Sequence, residues 1–125
     1  MLRQDRGSLT LEVSILAPIL LLLVFTIIQV GLWSYARSLA LGAAQEGLAA
    51  GRAHGASAQV GRDRAQQFLD AAAGDSLVGG AVAVTVDAIR VRVDVTGRSL
   101  SVLPGVPGLP VRQSAEGPRE RFTSP

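Results

Sequence analysis

From Val13 to Trp33 the chain reads VSILAPILLLLVFTIIQVGLW, twenty-one residues without a charged side chain. A helix of that length rises about 31 Å, close to the ~30 Å hydrocarbon core of a bilayer. The run is apolar all round rather than on one stripe, and a chain of 125 residues has too little else to bury such a helix. A membrane-spanning helix is therefore the constraint from which the rest follows. Ser14, Thr26 and Gln29 interrupt the run, and the two hydroxyls can be shielded by bonding to the helix's own carbonyls. Pro18 is expected near the helix start, where a missing N–H does least harm. Trp33 and Tyr35 sit where aromatic rings settle at headgroups, so the span is placed at residues 13–35. A cleaved secretory signal is the main competitor. The run exceeds the usual h-region of about 7–15 residues, but small residues at Ala40, Gly42 and Ala44 could serve a peptidase, releasing a soluble domain beginning near Ala43.

Arg3 and Arg6 against Asp5 make the N-terminal flank net positive, whereas Arg37, Glu46 and Arg52 follow the span. The positive-inside rule puts the N-terminus in the cytoplasm and the C-terminal domain outside. Glu12 stands at the lip of the apolar run, where a carboxylate is costly unless partnered. It can be an interfacial residue near Arg6 or lipid headgroups, favouring the positive end of the helix dipole. Alternatively, a cut after Gly7 would give Ser8 a free amine for Glu12 to pair with, in its own chain or a neighbour.

The sequence Arg6-Gly7-Ser8-Leu9-Thr10-Leu11-Glu12-Val13, then Ala17-Pro18, the Leu20–Leu23 run and the Ala43-Ala44-Gln45-Glu46-Gly47 … Gly51-Arg52 stretch resembles TadE-like pilus assembly proteins. These are minor pseudopilins of tight-adherence, or Flp-type, pilus systems. The resemblance implies cleavage by a prepilin peptidase after Gly7, with Gly7, Ser8 and Glu12 as the processing and assembly positions, and packing against other pilin-like subunits through the apolar helix. It implies a single-pass protein of the bacterial cytoplasmic membrane, destined for pilus biogenesis, adhesion or a surface pilus. Flp-type pilins usually carry an aromatic residue after the glutamate; this chain has Val13. The alternative is a single-pass envelope protein whose small outer domain binds a partner unrelated to filaments.

Beyond the span, Ala36, Leu39, Ala40, Ala43, Ala44, Leu48 and Ala49 recur at threes and fours, predicting a helical stalk over residues 36–50 that packs against a partner helix. Gly51–Ser57 reads as a break, with His54 a loop residue and Ser57 a candidate cap. An amphipathic helix is predicted over residues 58–73, with Val60, Phe68, Leu69 and Ala72 inward and Arg62, Asp63, Arg64 and Asp70 outward. Gly74-Asp75 and Gly79-Gly80 are read as its end and the next turn. Period-two alternation then begins, with Val82, Val84 and Val86 in one parity and Ile89, Val91, Val93 and Val95 in the other, so a turn or bulge is expected at Asp87-Ala88. A second turn is expected at Thr96-Gly97-Arg98, then a short strand through Leu103, a proline-rich connector at 104–110 and an edge strand at 111–115. The expected fold is α+β and membrane-anchored: leader 1–7, junction 8–12, span, stalk, second helix, a small antiparallel sheet over 81–116 and a disordered tail over 117–125.

Chemistry is sparse. With no cysteine and one histidine, no thiolate or His-rich metal site is expected. The basic residues are all arginine, scattered among ten acids, which gives no nucleic-acid-binding face. Gly97 and Gly105 lack a phosphate-loop context, and His54 lacks the support a catalytic triad needs. Asp87 and Asp94 pair in no evident pocket, and Arg90, Arg92 and Asp94 read as solvent-side charges. The expectation is a non-enzymatic protein with no cofactor, no metal and no small-molecule substrate, whose partners are the lipid bilayer, a prepilin peptidase and pilin-like subunits.

Overall fold

The computed structural model describes residues 2–53, 55–103 and 105–119, with side chains from Leu9 onward. One helix, α1, runs unbroken over Leu2–Arg52. A shorter helix, α2, covers Ala58–Phe68 and continues through a π-helical turn at Leu69–Ala73. Three strands follow: β1 Leu77–Val86, β2 Arg90–Ser99 and β3 Pro110–Pro118. They form one antiparallel sheet in the order β1-β2-β3. This is the α+β architecture expected from the sequence, a long apolar helix carrying a small helix and sheet.

The sheet lays one face on α1 and α2. Val91, Val93 and Val95 on the central strand are fully buried and form rungs with Val86, Val84 and Val82 on one side and Gly117, Ala115 and Gln113 on the other. Cross-strand valine pairs of this kind suit a pleated, half-covered surface. The opposite face carries the charges: Arg90 bonds Glu116 at 3.1 Å, and Arg92 and Asp94 pair at 3.2 Å. Ser114 also donates to Asp94. That hydroxyl first, and the Arg92 guanidinium second, hold the Asp94 carboxyl below the usual aspartate range, while Asp94 raises Arg92.

One local expectation is met and three change. The parity switch at Asp87-Ala88 is a tight hairpin, closed by the Asp87 N–H donating to the Arg90 carbonyl at 2.8 Å, with Ile89 exposed at its tip. Gly79-Gly80 is not a turn between elements but a bulge inside β1, where the register shifts between Val78 and Ala81. Gly79 supplies the positive φ of 63° such a bulge uses, and the extra residue turns Leu77 inward while Val82 keeps the core face below it. Thr96-Gly97-Arg98 is no turn either: the three residues pair within β2, which ends at Ser99 rather than at Leu103. Finally, β3 extends past Ala115, so Gly117 and Pro118 belong to the sheet rather than to the tail; residues 120–125 lie outside the described residues.

The helices meet through small residues. Ala36, Ala40, Ala43 and Ala44 are wholly buried on α1, and Gly47 and Gly51 continue the stripe. The partner helix anticipated for this stripe is the chain's own α2, together with the sheet. On α2 the buried positions are Gly61, Ala65, Leu69 and Ala73, one turn apart; Val60 and Ala72, expected inward, are exposed, whereas Phe68 and Leu69 do face the core. The heavier apolar residues drew the inward assignment, but the closeness of the backbones reserves that face for small ones. A Cβ on Gly61 would lie 3.0 Å from the Gly47 carbonyl oxygen, and one on Gly47 would lie 2.9 Å from the Gly61 carbonyl oxygen. Ser57 occupies the cap position of α2 but makes no side-chain capping bond, and α1 persists through Gly51 and Arg52, so the break spans only 53–57. His54, expected in that break, lies outside the described residues.

Overpacking the crossing should unfold the domain without touching the anchor. Gly61→Val is expected to cost about 1–3 kcal/mol, whereas Gly31→Ala, with nothing within 4 Å, should be neutral or stabilising by up to about 1 kcal/mol. Thermal unfolding of the detergent-solubilised chain, followed through its β-sheet dichroism, measures both.

Candidate functional site

The site is α1 itself, from Gly7 to the point where the C-terminal domain takes hold. Every described side chain from Leu9 to Ile28 is exposed, almost all apolar. Twenty such residues span about 30 Å of helix, enough to cross a hydrocarbon core. Ser14 Oγ donates to the Thr10 carbonyl at 2.8 Å and Thr26 Oγ1 to that of Leu22 at 2.7 Å, so both hydroxyls are satisfied within the helix, as anticipated. Pro18 departs from expectation: α1 begins so far upstream that the proline is interior, and the ring removes the bond the Ser14 carbonyl would accept.

The exposed stretch ends at Gln29, only 5% exposed. Its Nε2 donates to the Leu100 carbonyl at 2.8 Å and to Ser99 Oγ at 3.3 Å, and its Oε1 accepts the Val102 N–H at 3.0 Å. Ser99 Oγ in turn accepts the Leu109 N–H at 3.1 Å, and the Ser99 N–H donates to the Leu109 carbonyl at 3.0 Å. One turn further, Trp33 Nε1 donates to the Pro110 carbonyl at 3.1 Å, beneath the Arg37 guanidinium at 4.7 Å from its ring. Arg52 closes the far end by donating to the Pro118 carbonyl at 2.8 Å. The domain therefore grips α1 from Gln29 to Arg52. Continuous bare apolar surface stops at Ile28, with Val30 and Tyr35 exposed beyond it, five residues short of Trp33, where the apolar run ends.

Sequence reasoning took Gln29 for a polar interruption and Trp33 for a headgroup aromatic. Neither partner was visible, because both lie about seventy residues away in sequence, in a segment with no periodicity. The available signal was chemical: an amide has no helical carbonyl it can reach as a serine or threonine hydroxyl does, so it needs an external partner.

Gly7 and Ser8 lie within α1, their side chains outside the described residues. Glu12 is exposed, and among the described residues nothing bonds it. It stands seventeen residues before Gln29, or about 26 Å along the helix. The three site positions thus share the N-terminal end of one continuous helix, but no described side chain completes a pair with Glu12. Among the described residues no cluster of three His, Cys, Asp or Glu side chains gathers. The depression beside α2 brings Asp70 and Asp75 together with Gln66 and Leu77 and holds no base or nucleophile beyond those carboxylates.

These features define an α+β chain built on one long helix, apolar and exposed along most of its N-terminal half and covered by a small domain on its C-terminal half. Residues 7–48 match the family model described as TadE-like protein, so the N-terminal region of this chain is TadE-like. The match begins at Gly7, takes in Glu12 and the exposed stretch, and ends within the small-residue stripe. No curated protein and no solved structure matches the chain.

Replacing Gln29 by Leu strands the Val102 N–H and leaves Ser99 and the Leu100 carbonyl one donor short. The domain should lose about 1–3 kcal/mol, and the Val102 amide should exchange with deuterium faster than in the parent chain while amides of Leu9–Ile28 are unchanged.

Proposed function

We propose that the chain is a non-enzymatic TadE-like minor pseudopilin or pilus assembly subunit, anchored with its N-terminus in the cytoplasm and its domain outside. The observation that carries this reading is the family match beginning at Gly7 on a helix that is continuous and apolar through Ile28. In this reading a prepilin peptidase adds water across the Gly7–Ser8 peptide bond, leaving a carboxylate on Gly7 and an amine on Ser8. Glu12 then neutralises that amine, in its own chain or a neighbour's, inside a low-dielectric environment where either charge alone is costly. The bare helix packs against other pilin-like subunits, and the domain contributes to Flp-type pilus biogenesis or adhesion. Release by signal peptidase near Ala43 is disfavoured on physical grounds: it would remove Gln29, Trp33, Ala36 and Ala40, all of which pack against or bond to the domain.

The mass and N-terminal sequence of protein isolated from its native membrane test the reading. A chain beginning at Ser8 is expected; an intact Met1 counts against processing, and a start near Ala43 removes the anchor. Glu12→Ala should leave the membrane-bound amount unchanged and lower the amount recovered in sheared filaments by about tenfold or more, since stranding one member of a desolvated pair costs ~3 kcal/mol or more. Unchanged recovery would sink the pairing.

A further inference from the structure

We infer that the segment between β2 and β3 is a second membrane contact, a loop that lies in the lipid–water interface beside α1 and fixes the domain's orientation on the bilayer. The inference rests on the anchoring of α1 in a membrane and concerns a different part of the chain.

Position is the first ground. β2 runs antiparallel to α1: Val91 packs at Gly51, Val93 at Gly47, and Ser99 reaches Gln29. Past Ser99 the chain leaves the sheet beside Gln29, which bonds Leu100 and Val102, and returns at Leu109 to pair with Ser99. Phe25 and Ile28, on the turn below Gln29, are the least exposed of the bare apolar residues at 37% and 43%. The base of the loop thus adjoins the end of the bare helix.

Composition is the second. No charged residue occurs between Arg98 and Arg112, and Leu100, Val106 and Leu109 present exposed apolar side chains. Arg98 and Arg112 flank the segment as exposed strand residues, and on the helix Arg37 lies over Trp33. An apolar tip under a rim of arginine and aromatic side chains is the distribution that an interface selects.

Hydrogen bonding at the loop's base is the third, since polar groups near lipid are best met within the chain. Here Gln29 takes up the Leu100 carbonyl and the Val102 N–H. Ser101 Oγ lies within bonding distance of the Leu103 and Val106 carbonyls, and the Val106 N–H donates to Leu103. Ser99 takes both polar groups of Leu109. Prolines at 104, 107 and 110 bring no N–H at all. Gly105, at φ 73°, lets the chain reverse within this small compass. The loop is apolar outside, and its base is hydrogen-bonded to the helix and to Ser99.

The chain has no cysteine, so single cysteines can be placed and labelled with an environment-sensitive fluorophore. Three full-length variants are reconstituted at low density in phosphatidylcholine–phosphatidylglycerol vesicles: Val106→Cys in the loop, Ile89→Cys at the opposite tip of the sheet, and Leu20→Cys in the bare helix. Nitroxide lipids labelled near the headgroup should quench the probe at 106 at least about twofold more than the probe at 89, and mid-chain nitroxides should quench the probe at 20. Quenching at 20 with equal, weak quenching at 106 and 89 would overturn the loop contact and leave the anchor standing. No quenching at 20 would overturn the anchor itself. Protection of position 106 that appears only at high protein density would assign the loop to a neighbouring subunit instead and equally overturn the inference.

Discussion

One helix in this chain meets two different environments, and the change occurs within a single turn. From Leu9 to Ile28, α1 is exposed and almost all apolar; from Gln29 onward one face is covered by α2 and the sheet. The Gln29 amide marks the boundary because it can do what neither environment does alone. It is buried, yet it satisfies two backbone groups of a loop that has no ladder of its own. A hydrogen bond of this sort contributes only about 1 kcal/mol net, but leaving its partners unmet costs more. Its value lies in fixing where the domain stops along the helix.

Above that boundary the packing depends on what is missing from the side chains. The α1 stripe is alanine and glycine, and the facing stripe on α2 is Gly61, Ala65, Leu69 and Ala73. Small residues bury little area apiece, so this contact gains from backbone proximity and dispersion rather than from bulk. The bulk comes from the sheet, whose buried valines fill the space beside Gly47 and Gly51. The charged outer face adds little: its ion pairs are exposed and geometrically ordinary.

Much of this was legible in sequence because periodicity survives averaging over many residues. The apolar run, the small-residue stripe and the two parities of valine each report a face, and each face is where it was expected. What escaped were features decided by a single residue or by distant partners. Val60 and Ala72 were read inward by hydrophobicity, yet the Gly47–Gly61 approach rotates α2 to hide its smallest residues. Gly79-Gly80 and Thr96-Gly97-Arg98 carry turn chemistry, but long pairing with the neighbouring strands overrode it, converting one to a bulge and the other to strand. Gln29 and Trp33 were placed correctly on the helix and wrongly in their company, because a segment without periodicity gives no sign of what it will touch. At the N-terminal end, Gly7, Ser8 and Glu12 were legible only as a short motif beside a helix, and the fold adds continuity to them without adding a described partner.

The boundary at Gln29 also sharpens the position of Glu12. If the span is measured from the first exposed apolar residues to Trp33, Glu12 falls at its edge and needs no special account. With the domain gripping from Gln29, the outer limit moves toward the N-terminus by about 6 Å. A core of about 30 Å measured back from there ends near Leu9, which puts Glu12 about 4 Å inside it rather than at its lip. Tilting the helix shortens its projection and carries the carboxylate toward lipid no less, because the docked domain cannot follow the helix into the core. A charge held at that depth by a rigid spacer calls for neutralisation. The amine that cleavage after Gly7 would create lies four residues upstream on the same helix, one turn away. Docking at one end of α1 and the carboxylate at the other are therefore linked through the length of the helix between them: the grip at Gln29 sets the depth at which Glu12 sits.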